Sequence, residues 1–195
     1  MGEELELREY LHSLRFYILF VCILFAGAIA MGYMGFLSEI FSESLAWLEQ
    51  LSEGVVDFTE LYPSWILFIA FFFVIFLNNA FTCFLNVITG PLLGIFPLFS
   101  AVINGGLLGW LAREEGLLVF LAVVPHGMFE LPAYFLSVAI GLKLAHEVLK
   151  PRRERQLRIT LVEGLKVYLR LILPLLFIAA LIESGLIVLS ILLVP

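Results

Sequence analysis

The sequence predicts an all-α, polytopic integral membrane protein of about five transmembrane helices, and three observations lead there. Apolar residues make up 62% of the 195-residue chain and charged residues only 14%, against about 45–50% and about 25% in soluble domains. The apolar residues are gathered into runs of about 20 or more, the length that crosses a hydrocarbon layer roughly 30 Å thick. Charges of opposite sign are sorted to different intervening segments, the pattern that sets orientation during insertion.

The first run, about 16–37, follows Glu3, Glu4, Glu6, Arg8, Glu9 and Arg15. It lacks a small-x-small cleavage site and reads as a retained span rather than a signal peptide. Runs at about 64–86, 91–112, 117–142 and 167–194 complete five spans in a single transmembrane domain over 1–195. Only Asn86, Thr89, Gly90 and Pro91 divide the second run from the third, so a re-entrant piece, with four or six crossings, stays open there.

Eight of the eleven basic residues lie between the fourth and fifth runs or at the start of the fifth: Lys143, Lys150, Arg152, Arg153, Arg155, Arg158, Lys166 and Arg170. The bias of short loops for Lys and Arg on the inner side makes that segment cytoplasmic. Arg8 and Arg15 place the amino terminus on the same side, and the intervening four runs supply the even number of crossings this requires. The segment with Glu39, Glu43, Glu49, Glu53, Asp57 and Glu60 carries no Lys or Arg and is expected outside, with the turn at Arg113–Gly116 and the carboxy terminus.

Within that acidic segment, 38–60, the stripe Leu37, Phe41, Leu45, Leu48, Leu51 and Val55 has the spacing of one helix face. An interfacial helix is expected there. The basic segment, 143–166, shows a second stripe, Leu157, Leu161, Leu165 and Tyr168, which reads as an amphipathic lead-in lying among the headgroups. Lys150, Arg152, Arg153, Arg155 and Arg158 are the expected contacts to anionic lipid headgroups. Cys22 and Cys83 lie in apolar runs without metal-knuckle spacing and read as buried thiols.

Ionisable groups at mid-span cost roughly 2.5–3.5 kcal/mol on insertion scales and are functional candidates by default. The fourth run carries Pro125, His126, Gly127, Glu130 and Pro132, with His126 and Glu130 four apart on one face, a face that Tyr134 and Ser137 extend. Two prolines with a glycine between them lead us to expect a kinked or broken helix facing the bundle interior. Glu183 sits in mid-run in the fifth stretch, beside Ser184 and Gly185. Asn78, Asn79 and Asn86 lie towards the inner end of the second run, and Asn104, Gly105, Gly106 and Gly109 within the third. Asn78, Asn79, Asn104, His126, Glu130 and Glu183 are therefore expected to form one polar intramembrane core. The competing expectation is purely structural: a pair locking a kinked helix, and asparagines that serve as packing glue.

The stretch from Phe76, Leu77, Asn78 and Asn79 through Gly90, Gly94, Pro97, Asn104, Gly105 and Gly109 to Pro125, His126, Gly127, Glu130, Leu131 and Pro132 resembles the stage II sporulation protein M family. Gly141 and the pair Ile182 and Glu183 extend the resemblance, which covers roughly 64–190. It implies a polytopic protein of about five helices. The family's namesake works with peptidoglycan hydrolases in a complex that thins the septum and drives engulfment, and many relatives occur in organisms that do not sporulate. The resemblance carries no catalytic assignment.

Two functions remain open. The leading one is a non-enzymatic membrane scaffold or assembly protein, whose polar core fixes helix packing and whose outer and inner segments recruit partners. Its rival is a transporter or channel for a cation or a proton-coupled small solute, using His126, Glu130 and Glu183. The chain has three histidines and no HExxH, GxSxG or phosphate loop, so a hydrolase is a minor reading and no cofactor is expected; a metal is left open. Expected partners are the bilayer with its anionic headgroups, other membrane proteins and further copies of the chain, the last because small residues in the third run permit close association. No nucleic acid partner is expected.

Overall fold

The computed structural model describes residues 2–36, 38–39, 41–42 and 61–193. Among the described residues there are seven α-helices and no strand. We label them α1 (Gly2–Ser13), α2 (Arg15–Tyr33), α3 (Ser64–Ile88), α4 (Ile95–Glu114), α5 (Val119–Leu149), α6 (Leu157–Val167) and α7 (Leu173–Leu193). A π-helical step, Tyr168–Ile172, joins α6 to α7. Five stretches are long and apolar enough to cross a membrane: α2, α3, α4, Val123–Leu149 of α5, and Leu157–Leu193. The protein is a multi-pass helical membrane protein.

The outward faces fit that solvent. α2 exposes Phe16, Leu19, Phe20 and Ile23, and α3 exposes Trp65, Ile69, Phe73 and Leu77. In water such continuous apolar faces would drive association. In lipid they need no cover. The soft boundary between the second and third runs is a turn between two separate helices, since α3 ends at Ile88 and α4 begins at Ile95 after Gly94 at φ 69°. Glycine takes that left-handed conformation without steric penalty.

α5 is the hub, packing against α2, α3, α4, α6 and α7. Val138, Ile140 and Leu144 of α5 meet Val21, Val87, Val167, Ile172 and Leu176 in one core cluster. The proline pair does not break this helix: α5 runs through Pro125 and Pro132 as one 31-residue element. Each proline withholds a single backbone donor, and the remaining backbone bonds carry the helix across. The Pro132 ring also lies on an exposed side, away from its neighbours.

Glycines bring backbones together at two places. Gly109 of α4 lies on the backbone of Ile29 in α2, and Gly32 of α2 lies on Gly106 of α4. On the other side of the bundle, Gly90 meets Gly141 of α5, and Gly141 meets the Asn86 carbonyl. The small residues of the third run thus serve packing inside the chain, against α2.

α6 forms where the lead-in was expected, but its stripe is taken up by protein. Leu157, Leu161 and Leu165 pack on the core cluster, and Gly164 lies against Ile140 and the Tyr10 hydroxyl. Tyr10 of α1 donates to the Thr160 carbonyl at 3.1 Å. The first helix is therefore part of the bundle, which its pattern Leu7, Tyr10, Leu11 and Leu14 foreshadows. Most of the acidic stripe, Leu37 and Leu45 to Val55, lies outside the described residues. Phe41 is described and buried, its ring 5.9 Å from that of Trp110.

Candidate functional site

One face of α5 presents His126, Glu130, Tyr134 and Ser137 in sequence, because steps of three and four return to the same side of a helix. Its upper part, His126 to Tyr134, lines a cavity of about 410 Å³ together with Asn78 and Asn79 of α3, Asn104 of α4 and Glu183 of α7. Four helices thus contribute polar groups. A smaller space of about 80 Å³ continues from it past Thr82 and Cys83. Leu107, Leu108, Leu111 and Val123 line the cavity on the side of the α4–α5 turn. The cavity therefore runs from mid-bundle towards that end.

His126, Glu130 and Glu183 each offer a ligand atom, and these atoms lie within 4.8 Å of one another. All three side chains are half-buried. No ion pair or hydrogen bond joins them among the described residues, and the buried His126 Nδ1 has no partner there. A structural pair holding a helix would be bonded. These groups converge without closing.

Nearby polar groups behave differently. The Tyr134 hydroxyl shares a hydrogen bond with Ser100 Oγ at 2.7 Å, and Asn104 Nδ2 donates to the Ser100 carbonyl at 2.9 Å and reaches the Tyr134 hydroxyl at 3.4 Å. That network fixes the cavity floor and orients Asn104. Asn78 Nδ2 and Asn79 Oδ1 are 3.5 Å apart. Asn86 lies below the cavity and donates to Ser137 Oγ at 3.0 Å in a fully buried site. It belongs to packing.

All six residues of the expected polar core thus reach one cavity. Tyr134 and Ser100 were not assigned to the core from sequence. Tyr134 carried a signal, eight residues after His126 on the same face, whereas Ser100 is marked only by its four-residue spacing from Asn104.

The basic residues are elsewhere, at the turn between α5 and α6. The Glu147 carboxylate accepts from Lys150 Nζ at 2.5 Å and from the Gln156 backbone N–H at 2.9 Å. Arg155 Nε donates to the Lys150 carbonyl at 2.8 Å. The hydrogen bond that the Lys150 ammonium donates to Glu147 holds it above its ordinary pKa. Lys150 and Arg155 therefore build the turn, while Arg152, Arg153 and Arg158 are exposed.

The fold and the cavity define a class: a five-span helical membrane protein with a chamber between its helices, lined by carboxylates, imidazole and amides. The family model for stage II sporulation protein M matches residues 16–186. The chain belongs to that family. An uncharacterized protein of Methanocaldococcus jannaschii is 39% identical over 66 residues, which is 33% of this chain and 29% of that protein. The match thus spans under a third of the relative's length. No solved structure gives a significant match.

Proposed function

We propose that the protein handles cations or protons within the membrane, as a transporter or channel whose intramembrane chamber is the binding site. One observation carries this: His126, Glu130 and Glu183 converge within 4.8 Å on a cavity without bonding to one another. Ionisable groups at this depth are costly to insert, and groups kept only for packing would be saturated by each other. The chamber lies towards the α4–α5 turn, which the positive-inside pattern assigns to the outer face. Ions therefore enter from outside. Arg152, Arg153 and Arg158 at the opposite end support contact with anionic headgroups of the cytoplasmic leaflet.

The test is flux into proteoliposomes, measured with a pH-sensitive dye and with cation indicators, for the parent, Glu130→Gln and Glu183→Gln. Loss of flux with unchanged thermal stability in detergent supports the proposal. An impermeable parent overturns it.

The scaffold reading keeps support from a second observation. Asn86 to Ser137, Ser100 to Tyr134, and Tyr168 to the Ala80 carbonyl at 3.0 Å tie helices together by hydrogen bonds that need no ligand. An inactive parent whose carboxamide variants unfold would favour that role, with partners recruited at the two membrane faces.

A further inference from the structure

We propose that His126, Glu130 and Glu183 form a site for one divalent transition-metal cation of the manganese, iron and zinc class. The inference rests on the ion-handling reading above and names its ligand.

The geometry comes first. His126 and Glu130 are one turn apart on α5, and Glu183 faces them from α7. One helix thus supplies two ligands and a second helix the third. Neighbouring ligand atoms in a tetrahedral or octahedral site with bonds of about 2.1 Å stand roughly 3.0–3.4 Å apart. Separations within 4.8 Å therefore close on a cation through side-chain rotation, without moving the helices.

Charge selects the valence. Two carboxylates in a low-dielectric bundle repel each other, and a neutral site needs two positive charges. A divalent ion supplies both. A monovalent ion leaves one negative charge uncompensated among apolar neighbours such as Leu108 and Leu131. Among the described residues no Lys or Arg lines the cavity to supply that charge.

The donor set selects the element class. One imidazole nitrogen with two carboxylate oxygens suits zinc, iron and manganese, whereas calcium and magnesium sites are built from oxygen alone. The buried Nδ1 of His126, which has no hydrogen-bond partner among the described residues, gains either a metal bond or, where Nε2 binds the metal, a hydrogen-bond acceptor that orients the ring. Three protein ligands leave coordination positions open to water, for which a cavity of about 410 Å³ has room. Asn78, Asn79 and Asn104 offer carbonyl and amide groups to such waters.

The experiment is metal binding to the purified full chain in nanodiscs after chelator treatment, with Mn²⁺ followed by electron paramagnetic resonance and Zn²⁺ by calorimetry. One saturable site per chain is expected, with Ca²⁺ and Na⁺ unable to compete at equal concentration. Loss of a group that only hydrogen-bonds to a ligand weakens metal sites about 10–100-fold, so loss of a ligand itself in Glu183→Gln or His126→Gln is expected to weaken binding by more than about 100-fold. Metal-free melting temperatures establish which variants fold, and Glu130→Gln replaces either variant that does not. Absence of saturable binding in the parent, or equal binding in folded ligand variants, overturns the site. Proton flux that persists in metal-free liposomes and needs Glu130 would then leave the ion-handling reading standing without the metal. Metal binding in a protein with no flux would do the reverse.

Discussion

Two identical substitutions on the α2–α4 pair are expected to act with opposite sign. A β-carbon at Gly109 would lie 2.7 Å from the Ile29 carbonyl carbon and 2.9 Å from its Cα, and closer still to its oxygen. A β-carbon at Gly27 of α2 meets nothing within 4 Å. Carbon atoms rest about 3.5–4.0 Å apart, so Gly109→Ala pushes α2 and α4 apart by roughly 0.6–1 Å, a gap that forfeits about a quarter to a half of each contact's well. At about 0.15 kcal/mol per contact over on the order of 40 atom pairs, the loss is roughly 1.5–3 kcal/mol. No hydrophobic driving force compensates, because lipid is as apolar as the helix faces. Both variants gain the same helix propensity, about 1 kcal/mol for alanine over glycine. It cancels in the comparison. Melting in detergent, followed by thiol-reactive dye or light scattering, should place Gly109→Ala about 3–12 °C below Gly27→Ala at about 2–4 °C per kcal/mol. Equal melting temperatures would refute the glycine-mediated approach of α2 to α4.

Ser137→Ala leaves the Asn86 amide unpaired in a site where Asn86 Oδ1 already lacks a described partner, and should cost about 1–3 kcal/mol. Asn86→Leu combined with Ser137→Ala should melt above Ser137→Ala alone, since removing both partners removes the unpaired group. Tyr168→Phe loses the bond to the Ala80 carbonyl and should cost about 0.6 kcal/mol, at most about 1.7; chemical denaturation of the pair of proteins measures it. For topology, cysteines placed at Gln50 and Gln156 in a background without Cys22 and Cys83 should differ in intact cells. Position 50 should label with an impermeant maleimide, and position 156 only after permeabilisation. Labelling of position 156 from outside would reverse the assigned orientation.

The spans were legible because lipid imposes a local rule: about 20 apolar residues in a row, whatever lies elsewhere in the chain. At the prolines local chemistry argues for a kink or a break, and α5 continues through both without a break. The stripe on α6 marks a limit of that locality, since a periodic apolar face does not say whether lipid or protein covers it. Leu157, Leu161 and Leu165 pack on the core, partly buried. The meeting of Glu183 with His126 depends on the register of α7 against α5. Leu157–Leu193 reaches that register through a π-helical step, which no periodicity marked.

The division between cavity and core follows from where backbones touch. Asn79 and Asn86 are seven residues apart, nearly the same face of α3 but about 10.5 Å different in depth. His126 and Ser137 are eleven apart on α5, again one face, with about 16.5 Å between them. The polar stripes of α3 and α5 therefore run side by side through the bundle. At their lower end Gly90 meets Gly141, and Gly141 meets the Asn86 carbonyl. That approach brings Asn86 within 3.0 Å of Ser137 and excludes space. At the upper end Asn79 and His126 have no glycine between them to bring the helices together, and the same residue types line a chamber. One continuous polar stripe thus becomes packing glue where glycines draw the helices into contact, and lines a chamber where no such contact forms.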